Sequence, residues 1–146
     1  MAAITDPTEE YFKDGVWGWD GSQWRKLPLL FGYSDRYAER VGPVTAVSGT
    51  NQLDLSTVPS GEIWVITSIS AWASSSNISR VDLRVIVGSD VFVLKATGYS
   101  TAYHTVDWQG TIILAAGDYI RVQFSGASGG EALDAWAVGY KMKIAE

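Results

Sequence analysis

General acid–base chemistry needs a titratable side chain and a partner that orients it, and this sequence holds a single histidine, His104. It stands between Tyr103 and Thr105 in a run that reads as a strand, and the one acid close by, Asp107, is three positions on. Strand residues three apart face opposite sides, so the two make a poor base–orienter couple, and a solvent-facing or interface histidine is the preferred reading. Asp82, Asp90, Asp118, Glu131 and Asp134 are the acids that could pair as in a glycosidase, but such a pair is defined by separation in space. Asp90 and Asp118 sit beside glycines in turns, where aspartate commonly bonds its own backbone, so a turn role is preferred for them.

Other chemistries fare no better. The Ser125–Gly130 stretch is glycine-rich but lacks the Lys-Ser/Thr of a phosphate loop, and no helix pattern follows it. No spaced Asp/Asn/Gly run of the calcium-loop kind occurs, and no serine sits in a glycine-flanked nucleophile elbow. Asn77-Ile78-Ser79 matches a glycosylation sequon, which carries little meaning without secretion. The expectation is a protein with no catalytic residue, no metal ligand set and no cofactor.

Tryptophan is the residue type that asks for an explanation. Seven of the 146 residues are Trp, and aromatics make up 12% of the chain. Exposed indoles stack on sugar faces, so Trp17, Trp19, Trp24, Trp72 or Trp108 could form a glycan platform, with Trp72 and Trp108 the glycan-facing candidates on the body of the chain. The competing reading puts Trp64 and Trp136 on core faces and uses the rest to close an oligomer interface, where Trp and Tyr are enriched. Packing and interface are favoured over sugar.

The elements that must position these residues are strands. A hydrophobic fraction of 47% with 18% charged residues belongs to a globular chain long enough to bury a sizeable core. Val81, Leu83, Val85 and Val87 alternate with Asp82 and Arg84; Ile120, Val122 and Phe124 alternate with Tyr119, Arg121 and Gln123. In the last strand Trp136, Val138, Tyr140, Met142 and Ile144 line one face, opposite Ala135, Ala137, Gly139, Lys141 and Lys143. The apolar start of Ile63–Trp72 suits a central strand covered on both sides. With Val44–Ser48, Gln52–Ser56, Val91–Thr97, Tyr103–Trp108 and Thr111–Ala115, separated by Gly-, Pro- and Asp-containing turns, the count reaches eight or nine strands. That number favours a jelly roll, an antiparallel β-sandwich. The sequence holds no convincing amphipathic helix: Tyr33–Val41, with Ser34 at the N-cap position, is the sole candidate, and a short one.

Residues 1–42 differ in texture from 43–146, which suggests an N-terminal arm followed by the sandwich. In Asp14–Arg25, Asp-Gly pairs between aromatic flanks signal a β-hairpin that puts Trp17 and Trp19 on one strand face, with Trp24 across from them. Leu27-Pro28-Leu29-Leu30-Phe31 follows, too apolar to be left in water.

Charge and composition limit the partners. A net charge of −5 with scattered Lys and Arg argues against nucleic acid, which needs a basic footprint. Met1–Glu10 carries acids and no apolar core, so a secretory signal is not expected there; no apolar run reaches membrane-spanning length, and no cysteine is present to form a disulfide or thiolate site.

Two segments carry a resemblance. Gly15-Val16-Trp17-Gly18-Trp19-Asp20-Gly21-Ser22-Gln23-Trp24 resembles the W-D-G-x-x-W hairpins of small structural proteins of tailed bacteriophages. Leu114-Ala115-Ala116-Gly117-Asp118-Tyr119-Ile120-Arg121-Val122 resembles the L-x-x-G-D-x-I-x-V hairpin of trimeric jelly-roll domains found in virion decoration proteins and fibre heads. The resemblance implies a non-enzymatic virion component, made in the host cytoplasm, usually a homotrimer, docked on capsid or tail proteins through its N-terminal segment. Trp17, Trp19, Trp24, Leu29, Leu30 and Phe31 are the expected attachment residues. A lectin-like module that binds a host surface glycan is the alternative.

Overall fold

The structure is a computed structural model and describes residues 17–19, 24–26 and 33–143, with side chains from 35 to 143. The period-two alternation of the sequence is realised as ten strands. They are β1 (Trp17–Trp19), β2 (Trp24–Lys26), β3 (Tyr33–Thr45), β4 (Gly49–Asp54) and β5 (Glu62–Ala73). Then come β6 (Arg80–Val87), β7 (Asp90–Gly98), β8 (Val106–Leu114), β9 (Tyr119–Ala127) and β10 (Ala132–Lys143). No helix occurs among the described residues.

Eight strands form two antiparallel sheets, in the orders β3-β10-β5-β8 and β4-β9-β6-β7. The pairs β3–β10, β4–β9, β5–β8 and β6–β7 are those of one long hairpin folded back along its length, and the β10–β5 and β9–β6 pairs roll it closed. This is the jelly-roll arrangement of a β-sandwich. The core between the sheets takes Ile66, Ile69 and Leu133 from the first and Leu83, Val122 and Phe124 from the second, all fully buried. Trp64 lies on the core face, as its sequence position implied. β5 is central, flanked by β10 and β8, which accounts for its apolar start.

The tryptophan hairpin forms as a two-stranded antiparallel ribbon in which Trp19 is the register partner of Trp24. The side chains of Trp17, Trp19 and Trp24, and the whole of Leu29, Leu30 and Phe31, lie outside the described residues.

Three expectations are corrected. Tyr33–Val41 is not a helix but the first part of β3, because Tyr37 and Val41 pack against the core while Ala38 and Arg40 face away, and β10 pairs along the segment. Its charged residues resemble a helix surface, yet cross-strand pairing decides the outcome. β3 also runs through position 42, so the sandwich sheet takes in residues on both sides of the 42/43 division. Tyr103–Trp108 and Thr111–Ala115 are not two strands: β8 is continuous, and Tyr103 and His104 lie in the loop before it. Gly110 lies within β8, where its missing Cβ makes room for the Trp108 ring. Finally, the large-residue face of β10 is the outer one. Leu133, Ala135 and Ala137 fill the core, and Trp136 and Val138 stand half-buried on the other side.

Candidate ligand-binding groove

Small inner residues on β10 send its bulk outward, where Trp136 pairs with Ser70 of β5 and Arg40 of β3. Two residues along, Asp134 is opposite Trp72. Both indoles therefore rise from the same outer face, on adjacent strands. They flank a groove of about 470 Å3 whose lining includes Ala38, Arg40, Trp72, Asp134, Trp136 and Val138.

A bulge shapes one wall. Leu133 pairs with Val44 and Ala135 with Val41, so β3 places two residues, Gly42 and Pro43, against Asp134 alone. Gly42 has φ +130°, and a Cβ there would approach the Leu133 carbonyl oxygen to 2.7 Å and Asp134 Oδ1 to 3.0 Å. Glycine is required at this point for both reasons. The bulge leaves Asp134 to the Arg40 guanidinium, whose Nε donates to Asp134 Oδ1 at 2.9 Å and to Oδ2 at 3.0 Å. Arg40 Nη2 donates to Oδ2 as well. Asp134 is completely buried, whereas the Arg40 side chain is 58% exposed. Hydrogen bonding to that carboxylate, reinforced by its charge, raises Arg40 above the usual guanidinium range. The result is a guanidinium fixed in direction at the rim, with no partner for Nη1 among the described residues.

Trp72 meets a second aromatic ring outside the groove lining. The Trp72 and Tyr103 rings lie 5.3 Å apart at 38°. Tyr103 is the single described non-glycine residue with positive φ, at +57°, a conformation held by its N–H donating to the Ala73 carbonyl at 2.7 Å. Buried Tyr99 grips the same residue: its hydroxyl accepts from Ala73 N–H at 2.9 Å and donates to Ala73 O at 2.8 Å.

Of the two residues read as glycan-facing, Trp72 lies in this groove and Trp108 does not: Trp108 packs against the core from β8. Trp136 is the groove residue that sequence reasoning placed elsewhere. Its even-numbered row was correctly grouped, but nothing local says which face meets the second sheet.

The titratable residues have structural partners. His104 is exposed in the loop after Tyr103, with its ring 6.2 Å from that of Tyr99. Asp118 Oδ2 accepts the Ala115 N–H at 2.9 Å and closes the β8–β9 turn, where Gly117 has φ +93°. Glu131 accepts the Ser128 and Gly129 N–H groups at 2.8 Å each. Its carboxyl is held below the usual range by backbone N–H donors, its own first, against the opposing effect of burial. Among the described residues no cluster of three or more His, Asp or Glu side chains could hold a metal ion.

The outer face of the other sheet is ionic. Asp82 receives Arg80 Nε and Arg84 Nη2 at 2.6 Å each, and Asp54 receives Arg121 Nε and Nη2 at 2.7 Å each. Burial works to raise the Asp82 carboxyl, but the two arginines together outweigh it and hold it below the usual range.

No protein-family model matches the sequence, and none of the curated proteins does. Among solved structures, the Drosophila NLP core, described for pentamer formation and histone binding, superposes over 75% of this chain and 100% of its own, at 16% identity. The TM-score is 0.35, too loose an overlap to carry an argument about this chain.

Proposed function

We propose that this chain is a non-enzymatic structural component of a tailed-bacteriophage-type virion: a homo-oligomeric jelly roll, decorating the capsid or attached to the tail or a fibre. The observation that supports assembly most directly is the β7 rim. β7 is a sheet edge, and Val91, Phe92 and Val93 are 49%, 53% and 49% exposed. Successive strand residues face opposite sides, so both faces of this edge carry bare apolar surface beside unpaired backbone groups. A sister subunit lying along the edge covers all three, at roughly 25 cal/mol per Å2 of apolar area removed from water.

Attachment falls to the N-terminal segment, with Trp17, Trp19, Trp24, Leu29, Leu30 and Phe31 as the docking residues. Many copies on a symmetric particle turn a modest contact into a stable coat. The L-x-x-G-D-x-I-x-V segment supports the fold part of the resemblance. Leu114, Ile120 and Val122 are core residues, and Gly117 and Asp118 build the turn between them.

Mass photometry of the purified protein, alone and mixed with empty capsids or tails of the encoding phage, tests the proposal. An oligomer that coats the particle is expected, with coating lost in a Trp17→Ala, Trp19→Ala, Trp24→Ala variant. A monomer that binds neither capsid nor tail overturns it.

A further inference from the structure

The outer face of the β3-β10-β5-β8 sheet points beyond assembly: we infer that the Trp72–Trp136 groove binds a neutral pyranose-containing glycan. Three observations converge on this ligand class. The first is the pair of indoles on adjacent strands, flanking about 470 Å3, within the roughly 300–1,000 Å3 of small-molecule sites. An indole face is electron-rich, and it attracts the polarised C–H bonds on the apolar side of a sugar ring as it attracts other positive edges.

The second is the row across the sheet. Register places Arg40, Trp136, Ser70 and Asp107 side by side on β3, β10, β5 and β8. A guanidinium donor thus stands at one end of the row, and beyond the indole come the buried Ser70 hydroxyl and, outside the groove lining, the exposed Asp107 carboxylate. The ends are roughly 14 Å apart, three strand spacings of about 4.8 Å, which suits more than one sugar ring. Hydroxyl groups both donate and accept, so they match a row of this mixed character.

The third is charge. The Arg40 guanidinium is already matched by the buried Asp134 carboxylate, so the groove offers direction without net positive charge. With Asp107 in the row and −5 on the whole chain, an acidic sugar is disfavoured and a neutral one is selected. Tyr103, held at positive φ, rests its ring against Trp72 and so supports that indole from outside the groove lining.

Saturation-transfer NMR and titration calorimetry on the full chain test this, with methyl hexopyranosides, lactose, maltose, cellobiose and sialyllactose as probes. Transfer to the ring C–H protons of at least one neutral probe is expected, and sialyllactose binds more weakly than lactose. Trp72→Ala and Trp136→Ala each weaken binding about tenfold, equivalent to about 1.4 kcal/mol. Tyr103 is 67% exposed, so Tyr103→Ala gives a variant that leaves the core intact and is expected to weaken binding as well. Phe92→Ser, on the β7 edge, leaves sugar binding unchanged. No transfer from any neutral probe overturns the inference, as does binding that survives all three aromatic variants or that requires the sialic acid carboxylate. Particle attachment is read separately, so failure of one proposal leaves the other standing.

Discussion

The two outer faces of the sandwich share a strand geometry and differ in how they are finished. On the β4-β9-β6-β7 sheet the outward side chains form an ionic ladder in which Asp82 bridges Arg80 and Arg84 and Asp54 holds Arg121, with the Tyr119 ring 5.4 Å from the Arg121 guanidinium. On the β3-β10-β5-β8 sheet the corresponding positions carry Trp72, Trp136 and Val138 around one buried-to-exposed ion pair, Arg40–Asp134. A ladder of mutually satisfied charges is content in water. Half-buried indoles beside a fixed donor are a surface suited to being covered. The difference leaves the ionic ladder to solvent and the groove to a ligand.

The sharpest way to break the contrast is Arg40→Ala. Among the described residues it strips the only partner from a completely buried carboxylate, whereas Asp134→Ala leaves behind an arginine that reaches water. Arg40→Ala is therefore expected to lower the thermal midpoint by more than roughly 10 °C, and Asp134→Ala by less. The double variant should recover most of the loss, and equal effects of the two single changes would contradict this reading of the pair.

Next in size is Asp82→Ala on the ladder face. It leaves the mostly buried Arg84, whose Nε already lacks a partner, without a counter-ion, at about 3 kcal/mol in urea unfolding. Arg80→Ala should cost far less, because Arg84 still holds Asp82. At the bottom of the scale, Arg121→Ala removes a partly exposed pair with Asp54 and should cost about 0–1 kcal/mol, shrinking further in high salt.

Acid should act through the ladder and the Glu131 loop. Asp82 and Glu131 both have carboxyls held below their unfolded values. Their contribution is therefore present above the ordinary carboxylate range of about 4 and is lost as the pH falls through the depressed folded values. Thermal midpoints should be flat from neutral pH down to that range and fall below it. In Asp82→Asn the fall should be shallower, and an unchanged profile would remove Asp82 from the account.

Much of this architecture was legible in the residues. Val81-Leu83-Val85 and Ile120-Val122-Phe124 announce half-buried strands, and the Ala116-Gly117-Asp118 turn announces the hairpin between β8 and β9. The tryptophan pairing across Asp20–Gln23 was equally local. Tyr33–Val41 misled because spaced charges look alike on a helix and on an edge strand, and because β10, the partner that decides between them, lies about a hundred residues away.

By itself the sequence determined that the chain is a β-sandwich and which residues share each strand face, because a period of two is a local property of the backbone. It could not say which of the two faces is inside. On β10 one set is Trp136, Val138 and Tyr140 and the other is Leu133, Ala135 and Ala137, and hydrophobicity alone favours burying the first. Only the tertiary structure decided for the second, since the inner face is whichever one the opposing sheet can pack against. That choice put Trp136 beside Trp72, with the Gly42 bulge giving Arg40 its place over Asp134, and made the groove.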